Sequence, residues 1–175
     1  GGGGKGIILL SHHQPFSDFL ADSAYLGPPS QISSLIPPTC TVLWITGHEH
    51  QLSMYDLTTS FGPPEDPVEM SVYHRLVGNG GFPQTSQKPS KHTTLSYYDN
   101  RVYKEFPINQ GGSEGYVYNG YFVISLDGVE AGVEYYTFEC DGGVGRGGDG
   151  GSCDRGVGPS MDEEVLMASE TFRLK

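Results

Sequence analysis

Two short runs hold most of the side chains able to do chemistry. Ser11-His12-His13-Gln14-Pro15 and Gly47-His48-Glu49-His50 contain four of the chain's six histidines. A neutral imidazole offers a lone pair to ions such as Zn, Fe or Mn, so several converging imidazoles make a metal site. In extended backbone His48 and His50 point the same way, because side chains alternate with period two, and Glu49 points away from them. Gly47 lets the backbone turn sharply without a Cβ clash. Taken alone, His12 reads more simply as a hydrogen-bonded core residue, and a His-x-His pair is common by chance. What raises both runs above that reading is where they lie.

Each run follows a continuous apolar segment. Ile7-Ile8-Leu9-Leu10 ends at Ser11, and Thr41-Val42-Leu43-Trp44-Ile45 ends at Thr46-Gly47. Unbroken apolar runs of this length predict strands buried on both faces, as in parallel sheets. The thirty residues between them contain two stretches able to form short helices, Asp18 to Leu26 and Gln31 to Ile36, with Pro28-Pro29 and Pro37-Pro38 at their ends. Strand, helical crossover and parallel strand, with a right-handed connection, is the simplest arrangement. Both histidine runs then emerge at the C-terminal edge of one sheet, where α/β sheets place their ligands.

Beyond Ser53 the chain turns to strand and loop. Strands are predicted at 54–57, 68–77, 93–98, 116–126 and 133–139, and Leu126-Asp127-Gly128-Val129 predicts a type I′ hairpin turn through Asp-Gly. Ser160 to Glu163 matches a helix capping box, but Val165, Met167 and Thr171 fit a strand better. Residues 142–158 have the composition of a surface loop. Its Gly143-Val-Gly-Arg-Gly-Gly148 lacks the following helix that a dinucleotide fingerprint requires. Aspartates 141, 149 and 154 fit no calcium-loop spacing. His74 and His92 are expected to be packing or solvated residues. Cys40 reads as a small buried hydrophobe, and Cys140 and Cys153 could close a loop in an oxidising compartment.

The chain has 175 residues, enough for one domain with a real core. Ten basic residues against twenty-one acidic give a net charge of −11 with no Lys/Arg cluster, which argues against nucleic acid as a partner. An anionic substrate then needs local positive charge, which metal ions would supply. No apolar run approaches the ~18 residues of a membrane span, and no signal-peptide pattern is present. Four opening glycines without an initiator Met lead us to expect a trimmed or processed polypeptide.

Four segments together resemble the calcineurin-like metallophosphoesterases. They are Ile-Leu-Leu-Ser-His-His-Gln-Pro-Phe-Ser (8–17), Leu-Trp-Ile-Thr-Gly-His-Glu-His (43–50), Tyr-His-Arg-Leu-Val-Gly-Asn-Gly-Gly-Phe-Pro (73–83) and Tyr-Asn-Gly-Tyr-Phe-Val-Ile-Ser-Leu-Asp-Gly (118–128). The likeness covers about residues 6–140, in order. It implies an α/β, strand-rich fold: the C-terminal half of a four-layer α/β/β/α sandwich. Residues 1–140 would form part of that domain, 141–159 a glycine-rich loop, and 160–175 a closing strand or short helix. By the same likeness His12, His48 and His50 would be metal ligands, and His13 the catalytic candidate beside the substrate phosphate. Two divalent or trivalent ions (Mn, Fe or Zn) would serve the complete domain in phosphoester hydrolysis.

The sequence departs from the family at two points. Gln51 stands where Arg often follows the Gly-His-x-His motif, and the Asp-x-His, Gly-Asp and Gly-Asn-His motifs that precede this region have no counterpart. The implied partners are therefore the N-terminal half of the same domain, or another chain covering the open sheet, and a phosphorylated small-molecule or protein substrate. The chain alone is expected to be inactive. A non-catalytic structural or interaction protein and a single-metal binding module are the alternatives.

Overall fold

The computed structural model describes residues 6–19, 26–80, 85–90, 94–108, 112–138 and 164–173. Ile7–Ser11 (β1) and Thr41–Thr46 (β2) are parallel strands, with Ile7 opposite Val42 and Ser11 opposite Thr46. The connection carries one helix, Gly27–Ser33 (α1). Pro28 and Pro29 lie in its first turn, where a missing N–H costs no helical hydrogen bond. The prolines thus open a helix instead of closing one, and the helix expected at 31–36 begins and ends earlier.

Leu52–Tyr55 (β3), Thr58–Phe61 (β4), Val68–Val77 (β5) and Leu95–Tyr98 (β6) complete a mixed six-stranded sheet ordered β1-β2-β5-β3-β6. The long β5 is its spine. One edge pairs in parallel with β2, while the other pairs antiparallel with β4 over its first half and with β3 over its second. Val102–Ile108 (β7) and Gly112–Val117 (β8) form a two-stranded ribbon. Gly120–Asp127 (β9), Glu130–Phe138 (β10) and Glu164–Arg173 (β11) form a three-stranded antiparallel sheet ordered β11-β10-β9. The chain is thus strand-rich and α/β in class, with a mixed sheet.

The two faces of the six-stranded sheet bury different partners. Leu43 and Ile45 of β2, with Leu52 and Met54 of β3, meet Ala131, Val133, Tyr135 and Phe172 of the three-stranded sheet. On the opposite face Val42, Trp44, Met70 and Val72 pack against Phe16, Leu26, Ile32 and Ile36, in and around α1. That two-sided burial explains the apolar continuity of β2, whose residues 42–46 are all buried. The same expectation fails for β1, which is half-buried at Ile7 to Leu9 and leaves Leu10 64% exposed. The reason is topological: β1 is an edge strand with β2 on one side.

Other expectations shift for local reasons. β4 and β7 lie outside the expected strands; Thr58 to Phe61 is mostly polar, and the Lys-Glu and Pro of 102–108 do not alternate. The expected strand at 116–126 is broken at residues 118–119, and its two parts belong to different sheets. Asp127 pairs with Glu130, so Gly128 and Val129 are the central turn residues, and Gly128 alone has positive φ (59°). That is the pattern of a type II′ turn, since type I′ needs positive φ at both positions. Residues 164–173 are strand. Cys40 is half-buried, short of the full burial expected. His92, Cys140, Cys153 and the loop at 141–159 lie outside the described residues.

An ion pair joins the sheets through their shared core. Arg75 of β5 is 4% exposed and makes a bidentate contact with Glu170 of β11 at 2.7 and 2.6 Å. Its Nη1 donates to the carbonyls of Tyr55 and His74, and Tyr135 donates to the same carboxylate. On the adjacent residue of β5, His74 is fully buried, 2.9 Å from Thr46 Oγ1 and stacked on Tyr55. It is a packing residue, as expected.

Two outcomes follow. Glu170→Ala leaves a buried guanidinium without its counter-charge and should lower unfolding free energy by roughly 3 kcal/mol. Combining Arg75→Met with Glu170→Leu should recover part of that loss in urea titrations. His74 has its pKa pushed down from 6.5 to about 3, by burial first and the Arg75 charge second. The unfolded chain therefore binds a proton that the folded one refuses, so stability is complete above pH 6.5 and falls as pH drops towards 3. Between pH 7 and 5 this group should remove about 2 kcal/mol of stability, a loss absent from His74→Gln.

Candidate metal site

Because Ser11 and Thr46 are in register, the chain leaves both strands side by side. The amide of Gly47 donates to the His12 carbonyl at 3.1 Å, carrying the ladder one rung past the strand ends. Trp44 Nε1 donates to Ser11 Oγ at 2.8 Å, and that hydroxyl donates to the His13 carbonyl at 2.9 Å. A buried tryptophan of β2 thereby anchors the turn that carries both histidines.

Three imidazoles converge on this edge. His48 Nδ1 lies 3.0 Å from His12 Nε2. Ring centroids are 4.9 Å apart for His12 and His48, 4.8 Å for His12 and His13, and 4.6 Å for His13 and His48. One ligand atom from each of the three lies within 4.8 Å of the others. Two nitrogens bound to one ion at about 2.05 Å sit about 2.9 Å apart at a right angle and about 3.3 Å apart at a tetrahedral angle. The His12–His48 separation fits that window, so these donors suit a borderline metal ion.

The electrostatics favour the ligating form of His48. Its pKa lies below the usual 6.5, through burial first and then the neighbouring His13, His12 and His50. A neutral His48 ring keeps its lone pair.

His50 stands apart from the converging three. Residues 47–51 are not strand, and the loop tightens so that the Gln51 amide meets the Glu49 carbonyl at 2.9 Å. The period-two argument linking His48 and His50 needs extended backbone, which is absent here. His50 is half-buried and close enough to bear on the charge of His48. His13, expected beside a substrate phosphate, lies in the same cluster as His12 and His48.

Glu49 turns inward. It is 5% exposed, and Gln14 Nε2 donates to its Oε1 at 2.6 Å. Burial raises its pKa, Ser17 and Gln14 oppose that, and Asp18 reinforces it. Beneath the loop, Gly78 at the end of β5 donates to the Gln51 carbonyl at 3.2 Å. A Cβ on Gly78 would overlap the carbonyl oxygen of Glu49 and lie 2.6 Å from that of Gly47. Sequence reasoning missed Gln14, Glu49 and Gly78 as parts of the site. Gln14 and Glu49 gave a signal only through adjacency to the histidines, and Gly78 gave one as the first glycine after an apolar strand.

No family model, curated protein or solved structure matches the chain. Gly78→Ala should force the 47–51 loop off the sheet and weaken Zn²⁺ binding by at least about tenfold in calorimetry, or about 1.4 kcal/mol. At Gly80 an added Cβ meets Gly120 O at 3.4 Å, so Gly80→Ala should bind as the parent does.

Proposed function

We propose that this chain supplies histidine ligands to the metal centre of a metal-dependent phosphoesterase. The observation that carries the reading is the 3.0 Å approach of His12 Nε2 and His48 Nδ1 at the C-terminal edge of a parallel strand pair. His12 and His48 would hold a Mn, Fe or Zn ion, and His13 would either complete that set or contact the substrate phosphate. His50 would take part if its loop shifts when a second ion binds. Such ions act as Lewis acids, neutralising phosphoryl oxygens where an acidic chain offers little positive charge of its own. Two of the four segments that resemble calcineurin-like phosphoesterases, 8–17 and 43–50, bear these histidines and support this reaction over other metal chemistry.

The complete domain would be a four-layer α/β/β/α sandwich. α1, the mixed sheet and the three-stranded sheet would account for three layers. Among the described residues no carboxylate joins the histidine cluster. By the resemblance, the remaining ligands would come from the N-terminal half of the same domain or from another chain. Among the described residues β1 pairs only with β2, and its other edge is where that polypeptide would pair, since an unpaired strand edge is a template for another strand. Its end would lie next to His12. The substrate would be a phosphorylated small molecule or protein.

The histidine-only cluster also favours a second reading, a non-catalytic interaction protein built on the same scaffold. Zn²⁺ or Mn²⁺ titration followed by p-nitrophenyl phosphate turnover separates the two. The chain alone should bind metal without turnover, and co-expression with its upstream half should give metal-dependent turnover, lost in His12→Ala and His48→Ala. Metal binding that never yields turnover with the upstream half present would favour the second reading.

A further inference from the structure

Gln14 and Glu49 are thirty-five residues apart in sequence and joined by a 2.6 Å hydrogen bond. They are 1% and 5% exposed. Gln14 directly follows His12-His13, and Glu49 directly follows His48. The bond therefore ties the two histidine loops together one or two residues from the rings themselves. At that distance a shift of either end moves an imidazole by a comparable amount.

The energetics of the pair argue against a purely structural role. A carboxylate and an amide have been taken out of water, and Gln14 Oε1 is left buried without a hydrogen-bond partner. A buried polar pair with an unsatisfied atom is commonly less stabilising than two apolar side chains of similar volume. Pro15 and Phe16 beside Gln14 pack inward, while Ser17 and Asp18 bear on Glu49, so the pair's polar bond runs between the two loops at the edge of an apolar layer. What a hydrogen bond supplies and an apolar contact does not is a fixed register between two loops. The floor behind the pair is stiff: the Asp18 amide donates to Tyr55 Oη at 3.2 Å, and Tyr55 stacks on buried His74.

We infer that Gln14 and Glu49 are positioning residues, a latch that holds the His12 and His48 rings at ligand spacing without touching the ion. This rests on the metal-binding reading above. The latch trades stability for geometry, so its removal should separate the two. Outer hydrogen bonds that orient metal ligands contribute on the order of 10–100-fold in affinity.

The test uses the 175-residue chain with Co²⁺ as probe, read by its visible absorption, and urea unfolding measured in parallel. Gln14→Leu and Glu49→Leu should each weaken Co²⁺ binding by at least about tenfold and shift the absorption band. The Gln14→Leu/Glu49→Leu double variant should be at least as stable as the parent and bind Co²⁺ no better than the single variants. The swapped pair Gln14→Glu/Glu49→Gln should recover most of the affinity, because it rebuilds the same bond in reverse. Parent-like Co²⁺ binding in the double variant would overturn the latch, as would affinity losses that track stability losses across the set. If the parent takes up no Co²⁺, the metal reading fails, and the latch is judged without metal. NMR contacts between the His12 and His48 rings should then be present in the parent and the swapped pair and absent from the Leu variants. The same contacts in the Leu variants would overturn it.

Discussion

The parallel register of β1 and β2, which sets Ser11 opposite Thr46, is the constraint on which the site depends. Both strands end on the same rung, so the loops that follow begin level with each other. A slip of one residue would turn every β2 side chain to the other face, moving Trp44 away from Ser11 and exchanging the two apolar clusters. The register is held by the different partners packed on the two faces of β2 and by the Trp44 bond to Ser11. Leu43 and Ile45 are specified by the three-stranded sheet, Val42 and Trp44 by α1 and its flanks.

Arg75 secures the other side of the same frame. It sits on β5, paired with Ile45 of β2 and Met54 of β3, and reaches Glu170 on β11. Sheet-on-sheet packing by apolar contact alone leaves some freedom to slide, because such contacts are non-directional. A bidentate guanidinium–carboxylate pair has one good geometry. Its placement beside Tyr73 and Phe172, at 5.6 and 5.2 Å from the ring centroids, shields it and adds cation–π attraction. The far end of β5, where Gly78 presses against the histidine loop, is thereby fixed relative to both sheets.

Much of this frame was legible in the sequence, for identifiable reasons. The unbroken apolar runs Ile7–Leu10 and Thr41–Ile45 announced a parallel pair, a reading whose two-sided burial holds for the second run alone, and Val68–Val77 was long and β-branched enough to be placed at its true ends. The sequence was silent where structure depends on partners distant in the chain. β4 owes its existence to the free first half of β5, not to its own Thr-Thr-Ser-Phe. β1 looked as apolar as β2 yet lies at an edge, because composition does not report neighbours. Among the histidines, His12 and His48 were readable from their places after strands. The exchange of His50 for His13 in the converging set was not, since it turns on how tightly the 47–51 loop is drawn against Gly78.

That tightness is itself a consequence of chemistry at the edge of the core. Gln14, Thr46, Glu49, Gln51, Ser53 and Asn79 are all buried at or near the C-terminal ends of β1, β2 and β5. Apolar side chains there would pack with less desolvation cost, but they would let the loops drift, because they specify volume and not direction. Polar groups close to the edge make discrete bonds instead: Gly47 to His12, Gly78 to Gln51, Gln14 to Glu49, and Asn79 Nδ2 to the Tyr118 carbonyl. Each removes a degree of freedom from a loop and satisfies groups whose burial would otherwise cost stability. The apolar clusters on either face of β2 and the Arg75–Glu170 pair supply the stability against which those bonds are set. The division of labour follows the strand direction, with a dry and redundant core along the strands and a directional polar collar where they end. Imidazoles held on such a collar would need little further reorganisation to meet a metal ion, which is what the proposed role asks of them.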